Sequence, residues 1–202
     1  MNDDAMQNME FPHVSQVNPG GSAPGLLIAS PYLSDPNFNR TVVLMIEHHG
    51  QGALGMIINR PTDLRVANAF RSPEIEWAGD PEEVIWFGGP VMRESCWILH
   101  EPNDILLRGE GRIRVLENLV ISTSARALRK LALYPPDKVR FIRGLAGWGA
   151  AQLDEEIAAG LWLTADLRPD LIFIPDAEDM WRAAYRDLGI DPAFFTFNQG
   201  IH

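Results

Sequence analysis

The chain has 202 residues, of which 46% are hydrophobic and 22% charged, as in a folded domain and unlike a disordered chain. Its formal net charge of -10 argues against broad, nonspecific attraction to nucleic acid or to an anionic membrane. The single cysteine excludes an intrachain disulfide, and no apolar run reaches the ~20 residues that a membrane-spanning helix needs.

The first 23 residues are polar and lack periodicity, so we expect a flexible leader followed by a single domain over residues 24–202. In the first half of that domain, short runs of β-branched and aliphatic residues between turn residues predict strands. These strands cover residues 26–29, 41–47, 53–59, 84–87 and 95–100. Pro61 helps to end the third strand, and a short helix is expected over residues 64–70. Gly52 and Gly55 in the third strand predict a bulge or close backbone packing, either of which would help to curl a sheet.

The second half of the domain combines further strands with three helices. Strands are predicted over residues 113–120, 139–142, 161–164 and 171–174. The first predicted helix contains the stripe Ala125, Leu128 and Ala132 and is capped by Ser122, Thr123 or Ser124. The second covers residues 152–159. The third covers residues 177–188, with Asp176 as its cap and Gly189 after its end. Because the strands come in runs and the helices are few, the pattern predicts an α+β fold with a mixed, mostly antiparallel sheet.

The stretch Gly144–Ile157 is rich in glycine between a predicted strand and a predicted helix, as phosphate-binding loops are. Its spacing, Gly-x-x-Gly-x-Gly, reverses the order found in dinucleotide-binding loops. Asp154, Glu155 and Glu156 also place negative charge in the first turn of the helix, where they would repel a phosphate. We therefore interpret the stretch as a glycine-rich turn that lets Trp148 pack closely.

Two groups of residues resemble fragments of metal or catalytic sites. Glu47, His48 and His49 are adjacent on a predicted strand and point to alternate faces, so we predict no metal site. Cys96 and His100 share a strand face but lie about 13 Å apart, too far for a thiolate and its base. We interpret Cys96 as a buried thiol and His100 as a hydrogen-bonded histidine rather than a general base. No catalytic residues and no cofactor are predicted.

Positive charge is concentrated in residues 102–143, where nine basic residues against four acidic ones give a local charge of +5. Arg112 and Arg114, like Lys138 and Arg140, are separated by one apolar residue, as on the solvent-exposed face of a strand. We favour this interpretation, and binding of nucleic acid by one contiguous basic surface is the alternative.

Seven fragments become informative together: Gly25–Pro31, Asp35–Val43, Glu47-His48, Gly52–Pro61, Gly88–Val91, Leu99-His100 and Gly144–Ile157. In order and spacing they resemble the YqgE/AlgH family of bacterial proteins, over about residues 24–188. The resemblance implies a compact α+β fold in which a small barrel-like sheet is surrounded by helices. It implies no established catalytic residue or cofactor.

The resemblance also implies a link to transcriptional regulation, which has been proposed for the family. No helix-turn-helix motif supports it in this sequence. One residue departs from the family pattern, because Ala151 stands where glycine is frequent. Alanine is a poor substitute wherever the backbone needs a positive φ or a ligand approaches it closely.

Two functional hypotheses follow. The first is a cytoplasmic, non-catalytic interaction or regulatory protein that acts on a protein partner, since the N-terminus has no signal-peptide pattern and no catalytic set is complete. The second is a small-ligand binder or hydrolase whose pocket gathers Asn59, Arg60, His100 and Trp148 at one rim of the sheet. Within it, Arg60 is expected to form an ion pair rather than to receive an anion.

Overall fold

The computed structural model describes residues 23–70, 75–103, 111–174 and 176–191. The predicted leader lies outside these ranges except for Ala23, which is buried. The strands are β1 (Gly25–Ala29), β2 (Val42–His49), β3 (Gly52–Ile57), β4 (Pro61–Arg65), β5 (Val84–Phe87), β6 (Val91–His100), β7 (Arg112–Leu116), β8 (Leu119–Ser122), β9 (Val139–Trp148) and β10 (Trp162–Ala165). The helices are α1 (Val66–Ala69), α2 (Ala125–Leu133), α3 (Gln152–Ala158), α4 (Pro169–Ile172) and α5 (Ala177–Asp187).

The strands form one curled sheet in the shape of a half-barrel. Its main path runs β10-β1-β2-β3-β9-β6-β8-β7, and β5 pairs with both β9 and β4. The β5–β9 pair is parallel and the other pairs are antiparallel. The predicted α+β fold with a mixed, mostly antiparallel, barrel-like sheet is therefore confirmed. Strand β9 is central, because it contacts β3, β5 and β6.

The inner face of the curled sheet packs against α5, the helix with the clearest sequence signals. The carboxylate of Asp176 accepts a hydrogen bond from the backbone N–H of Asp179 at 2.8 Å and so caps the helix, as predicted. Trp181 and Tyr185 both donate to the carbonyl of Ala29, at 2.9 and 3.2 Å. These bonds tie the buried face of α5 to the end of β1.

Two smaller apolar clusters lie outside this inner core. One joins β1, β2 and β3 to Leu153 of α3 and to the indoles of Trp148 and Trp162. The other packs α2 onto β6 and β9, with Phe141 at its centre. Ser124 caps α2 by accepting from the N–H of Ala127 at 3.1 Å, which selects one of the three predicted caps.

The sheet curls where β2 carries a bulge. The register between β2 and β3 shifts between Met45 and Glu47, next to Gly55 on the facing strand. A Cβ atom added at Gly55 would lie 2.8 Å from the carbonyl oxygen of Leu44. The bulge and the close packing predicted from the glycines of β3 are both present.

The predicted single strand over residues 113–120 is wrong, because this segment is a hairpin. Leu116 pairs with Leu119, and the two residues between them, Glu117 and Asn118, form the turn. Asparagine favours such turns because it tolerates unusual backbone angles. The exposed polar pair Glu117-Asn118 was the available signal of this turn.

Other segments also differ from prediction, and β6, for example, begins at Val91 rather than at residue 95. Residues 171–174 were expected to form a strand, but Pro169 begins the short helix α4, since its fixed φ suits the first helical position. Residues 61–65 pair with β5 as strand β4, so the helix expected from residue 64 begins at Val66. The glycine-rich turn expected from Gly144 is strand up to Trp148. Among the described residues, no helix is long and apolar enough to cross a membrane.

Candidate functional site

Asn59 is buried at the end of β3, where its side-chain amide joins three segments of the chain. The oxygen accepts a hydrogen bond from the N–H of Val42 at 2.8 Å. The nitrogen donates to the carbonyls of Arg40 at 2.9 Å and Ala177 at 3.0 Å. The amide thus holds the start of β2, the preceding loop and the start of α5 together, and only one of its four hydrogen-bonding positions remains.

Arg60 follows Asn59 and contacts the same loop. Its guanidinium donates to the carbonyl of Asn39 at 2.7 Å, and its own carbonyl accepts from the N–H of Phe87, also at 2.7 Å. It forms no ion pair with any residue that the structure describes, contrary to expectation. The pair Asn59-Arg60 therefore fastens the loop before β2 through backbone carbonyls.

His100 is fully buried at the end of β6, and both of its ring nitrogens have partners. Nδ1–H donates to the carbonyl of Glu101, and Nε2 accepts from the hydroxyl of Ser122 at 2.9 Å. Burial lowers the pKa of the imidazole, the hydrogen bond to Glu101 opposes that shift, and the charge of Arg112 adds to it. His100 is thus a neutral, hydrogen-bonded residue, as interpreted from the sequence, in the core rather than at a rim.

Trp148 ends β9 and belongs to an aromatic cluster around one carboxylate. Its indole N–H donates to Oε2 of Glu156 at 2.9 Å, and the indole of Trp162 donates to the same oxygen at 2.8 Å. Gln152 donates to the other oxygen at 2.9 Å. The two indoles pack edge to face with centroids 5.9 Å apart, and Phe38 packs against both. Glu156 was expected to place its negative charge in the first turn of the helix. Its carboxylate instead accepts hydrogen bonds from the two tryptophan indoles.

The structure separates the four candidate residues. On β9, His100 lies beside Val139 and Ala53 lies beside Trp148. These ends of β9 are about 30 Å apart at the usual rise of a strand. The segment Asn59-Arg60 follows β3 at the end opposite Ala53, about 20 Å from Trp148 by the same rise. By these estimates Trp148 is too far from His100 and from Asn59-Arg60 to share a small pocket with them.

Sequence reasoning missed the most unusual polar residue, Arg140. Its side chain was expected on a solvent-exposed strand face, yet only 3% of the residue is exposed. The guanidinium lies over the ring of Trp86, 3.9 Å from its centroid, and donates to the carbonyls of Ile58 and, at 2.6 Å, Ile174. The period-two pattern correctly predicted a strand, but it did not show which face of that strand is exposed to solvent. The adjacent apolar residues Phe141 and Ile142 were the available signal that both faces of this strand are covered.

Glu83 faces this buried arginine at longer range. Burial lowers the pKa of Arg140 to about 10, and the charge of Glu83 opposes the shift. Burial likewise raises the pKa of Glu83, while its hydrogen bond from Trp86 and the charge of Arg140 oppose that rise. Arg140 remains charged at neutral pH, and its hydrogen bonds connect β9 to the end of β3 and to the segment before α5.

Cys96 is half-buried on β6 and packs against the cluster under α2. Burial raises the pKa of its thiol to about 12, and the charge of Arg143 opposes the rise only weakly. A thiol with this pKa carries almost no thiolate at neutral pH, so it is a poor nucleophile.

The two histidines at the end of β2 have separate partners. Nε2 of His48 lies 3.3 Å from the carboxylate of Asp154, whereas Nε2 of His49 lies 3.8 Å from that of Glu47. In the part of the chain that the structure describes, no group of three or more His, Cys, Asp or Glu residues is arranged to hold a metal ion.

Ala151 precedes α3 in the left-handed region of backbone space, with φ of 62° and ψ of -14°. The position therefore does require the positive φ that alanine adopts poorly, and the chain carries the strain. No side chain caps α3 at this residue, although the side chain of Gln152 accepts from the N–H of Gly149 at 3.0 Å. The geometry explains why glycine would suit this position without any ligand.

Comparison with known proteins agrees with the sequence resemblance. The sequence profile of the AlgH-like family matches residues 26–193. A UPF0301 protein from Anaeromyxobacter sp. (strain K) is 38% identical over 192 residues, which cover 92% of this chain and 97% of that protein. A UPF0301 protein from Myxococcus xanthus is 36% identical over 181 residues, covering 89% of this chain and 98% of that one.

Two solved structures share the fold. The solution structure of the AlgH protein from Pseudomonas aeruginosa superposes with a TM-score of 0.68 at 32% identity, covering 93% of this chain and 99% of that one. The crystal structure of a protein from Corynebacterium diphtheriae gives a TM-score of 0.67 at 23% identity, covering 86% and 90%. The second similarity concerns the fold alone.

Proposed function

Since the chain belongs to the AlgH-like family, for which the resemblance implies a regulatory role and no catalytic residues, we propose that it is a cytoplasmic, non-catalytic protein that regulates a protein partner by binding it. One observation carries the proposal: the buried polar side chains best suited to chemistry are engaged in holding the fold together. Both nitrogens of His100, three positions of Asn59 and the guanidinium of Arg140 bond to neighbouring segments.

The ligand-binding alternative has less support. A pocket needs convergent polar groups, and the candidates are spread over three strands: Asn59 and Arg60 follow β3, His100 ends β6 and Trp148 ends β9. A hydrolase further needs an activated nucleophile, and the protonated thiol of Cys96 is not one.

Binding of nucleic acid through residues 102–143 also has less support. Arg140 is buried, Lys138 pairs with Glu101 at 2.9 Å, and Arg143 pairs with Glu94 at 2.8 Å. Three of the nine basic residues in the segment are thus withdrawn or neutralised. The other six basic residues of the segment belong to α2, to β7 and to residues outside the described ranges.

The test compares interaction with catalysis in the same set of variants. The full chain would be captured from its native bacterium after cross-linking, and any partner identified by mass spectrometry would be purified and titrated against it. Cys96→Ala and His100→Gln are expected to retain partner binding wherever they retain the fold, because both side chains are internal. A substrate turnover that disappears in folded His100→Gln would overturn the proposal.

A further inference from the structure

Strand β7 forms one end of the sheet, and among the described residues it pairs with β8 alone. An edge strand leaves every second backbone N–H and C=O directed outward, where an extended peptide can pair with them. Strand β10 forms the other end and pairs with β1 alone within the same ranges. The sheet thus offers two edges, and their side chains differ.

One face of β7 continues the inner apolar core. Ile113 lies beside Ile121, and Leu116 lies beside Leu119, both of which are fully buried. Ile113, Val115 and Leu116 pack against that core but remain only partly buried. The apolar inner face therefore extends to the last strand and is incompletely covered there by the described residues.

The opposite face of β7 is positively charged. Arg112 lies beside Ser122 and Arg114 beside Val120, with Arg114 exposed. No charged residue occurs in β10 (Trp162–Ala165), so the charge distinguishes one edge from the other. On a chain whose net charge is -10, this local positive strip selects an acidic partner by charge complementarity.

Proteins also place charged residues and bulges on edge strands to prevent unwanted pairing. The bulge in β7 lies between Arg114 and Leu116, so Arg112, Ile113 and Arg114 keep a regular register with β8. An added strand would pair with this regular segment. The protective role and the docking role make opposite predictions, which a binding measurement separates.

We propose that β7 is the docking edge for an extended segment of the partner protein in which acidic residues alternate with apolar ones. Added beside the regular part of β7, such a segment places an apolar residue over Ile113 and a carboxylate against the exposed Arg114. Alternation at period two meets both faces of the edge at once. The inference rests on the proposed function and specifies the chemistry of its partner.

The probe is a labelled ten-residue peptide of alternating glutamate and valine, titrated into the full chain with fluorescence anisotropy as the readout. Controls are a peptide of the same composition with glutamate and valine in separate blocks, and one with lysine in place of glutamate. We expect the alternating acidic peptide to bind best and its affinity to fall as salt is raised. Arg114→Glu should weaken binding about tenfold, because attraction becomes repulsion.

Arg126→Glu is the matched variant, since it makes the same charge change on exposed α2, away from the edge. It should weaken binding much less than Arg114→Glu. Amide hydrogen exchange should show peptide-dependent protection in β7. Equal effects of the two variants, no preference for alternation, or no binding up to roughly 1 mM peptide would overturn the inference.

The amides of β7 in the free full chain provide a further check. If they are already protected at the level of β8, the chain itself covers the edge and the inference is overturned. A native partner that cross-links elsewhere would overturn this inference and leave the proposed function standing. A turnover that depends on His100 would overturn the proposed function instead.

Discussion

The two ends of β9 bury polar groups by different means. At the start of the strand, Arg140 projects into the inner core, where backbone carbonyls and the ring of Trp86 receive it. At the other end, small residues bring backbones together, and the indole of Trp148 donates to Glu156, which is half-buried. The first end therefore depends on one long side chain and the second on close backbone packing.

This difference shows how one strand can carry two kinds of sequence signal. The Arg140 end has a period-two pattern that resembles a solvated face, and the Gly144 end has a glycine pattern that resembles a loop. Both resemblances are misleading because β9 is central and has neighbours on both sides. The following variants test each end separately.

Replacement of Arg140 should have the largest effect. Arg140→Met keeps an apolar stem but leaves the buried carbonyls of Ile58 and Ile174 without this donor, at a cost of about 2–4 kcal/mol of unfolding free energy. The matched variant Arg143→Met removes a surface ion pair and should cost less than about 1 kcal/mol. Urea denaturation measures both. Equal losses would mean that the buried hydrogen bonds of Arg140 contribute no more to the unfolding free energy than a surface ion pair.

Gly144 tests the close packing at the other end. It has φ of 80°, and an added Cβ would lie 2.3 Å from the carbonyl oxygen of Gly89. Gly144→Ala should therefore lower the unfolding free energy by about 2–4 kcal/mol. At Gly147 an added Cβ would meet Val91 at an ordinary 3.5 Å, so Gly147→Ala should change stability by less than about 1 kcal/mol. If the two variants unfold at the same urea concentration, the backbones at Gly144 and Gly89 are not tightly packed.

His100, beside the start of β9, makes stability depend on pH. Burial lowers its folded-state pKa below the unfolded value, so its contribution is present above the unfolded pKa and is lost as the pH falls toward the folded one. The unfolding free energy of the native chain should therefore fall between about pH 7 and pH 5 relative to that of His100→Gln, which cannot titrate there. The difference between the two chains is measured by urea denaturation across this range. A difference that does not change with pH would contradict the assignment of a buried neutral imidazole.

Ala151 should give the smallest effect, with the opposite sign. Ala151→Gly relieves a left-handed alanine and should raise the unfolding free energy by about 0.5–1 kcal/mol, after the greater entropy of the unfolded glycine chain is counted. The control Ala158→Gly, at an exposed position of α3, should lower it by about 0.5–1 kcal/mol. Thermal unfolding resolves the two directions. A loss in both variants would show that the position tolerates alanine without strain.

Local signals predicted several elements correctly. The apolar runs of β1 and β5 marked strands, and Asp176 marked the start of α5. The failures have one cause in common. Both missed features are short: Glu117-Asn118 is an exposed two-residue turn, and Pro169 begins a helix of only 4 residues. A periodicity that is read over a longer window passes over such short changes of structure.

The candidate site was less predictable than the fold. Asn59 and Trp148 belong to fragments that are far apart in the sequence, and Asn59 follows β3 at the end opposite the residues that pair with Trp148 and its neighbours. The partner of Asn59, Ala177, lies in a helix far along the chain. The partner of Trp148, Glu156, lies in the helix that follows the next turn. The order of the strands in the sheet determines which distant residues meet, and the local spacing of residue types does not predict that order.

The family, the α+β class and the cap of α5 could be predicted from the residues alone, since these depend on composition, order and contacts within a few residues. The burial of Arg140, the positive φ of Ala151, the choice of Ser124 as the cap of α2 and the edge position of β7 became known only from the fold. Burial and edge position depend on which distant strands become neighbours, and backbone strain persists only where such neighbours hold it. Those contacts arise from the complete fold, so the same residues in an isolated segment would not reveal them.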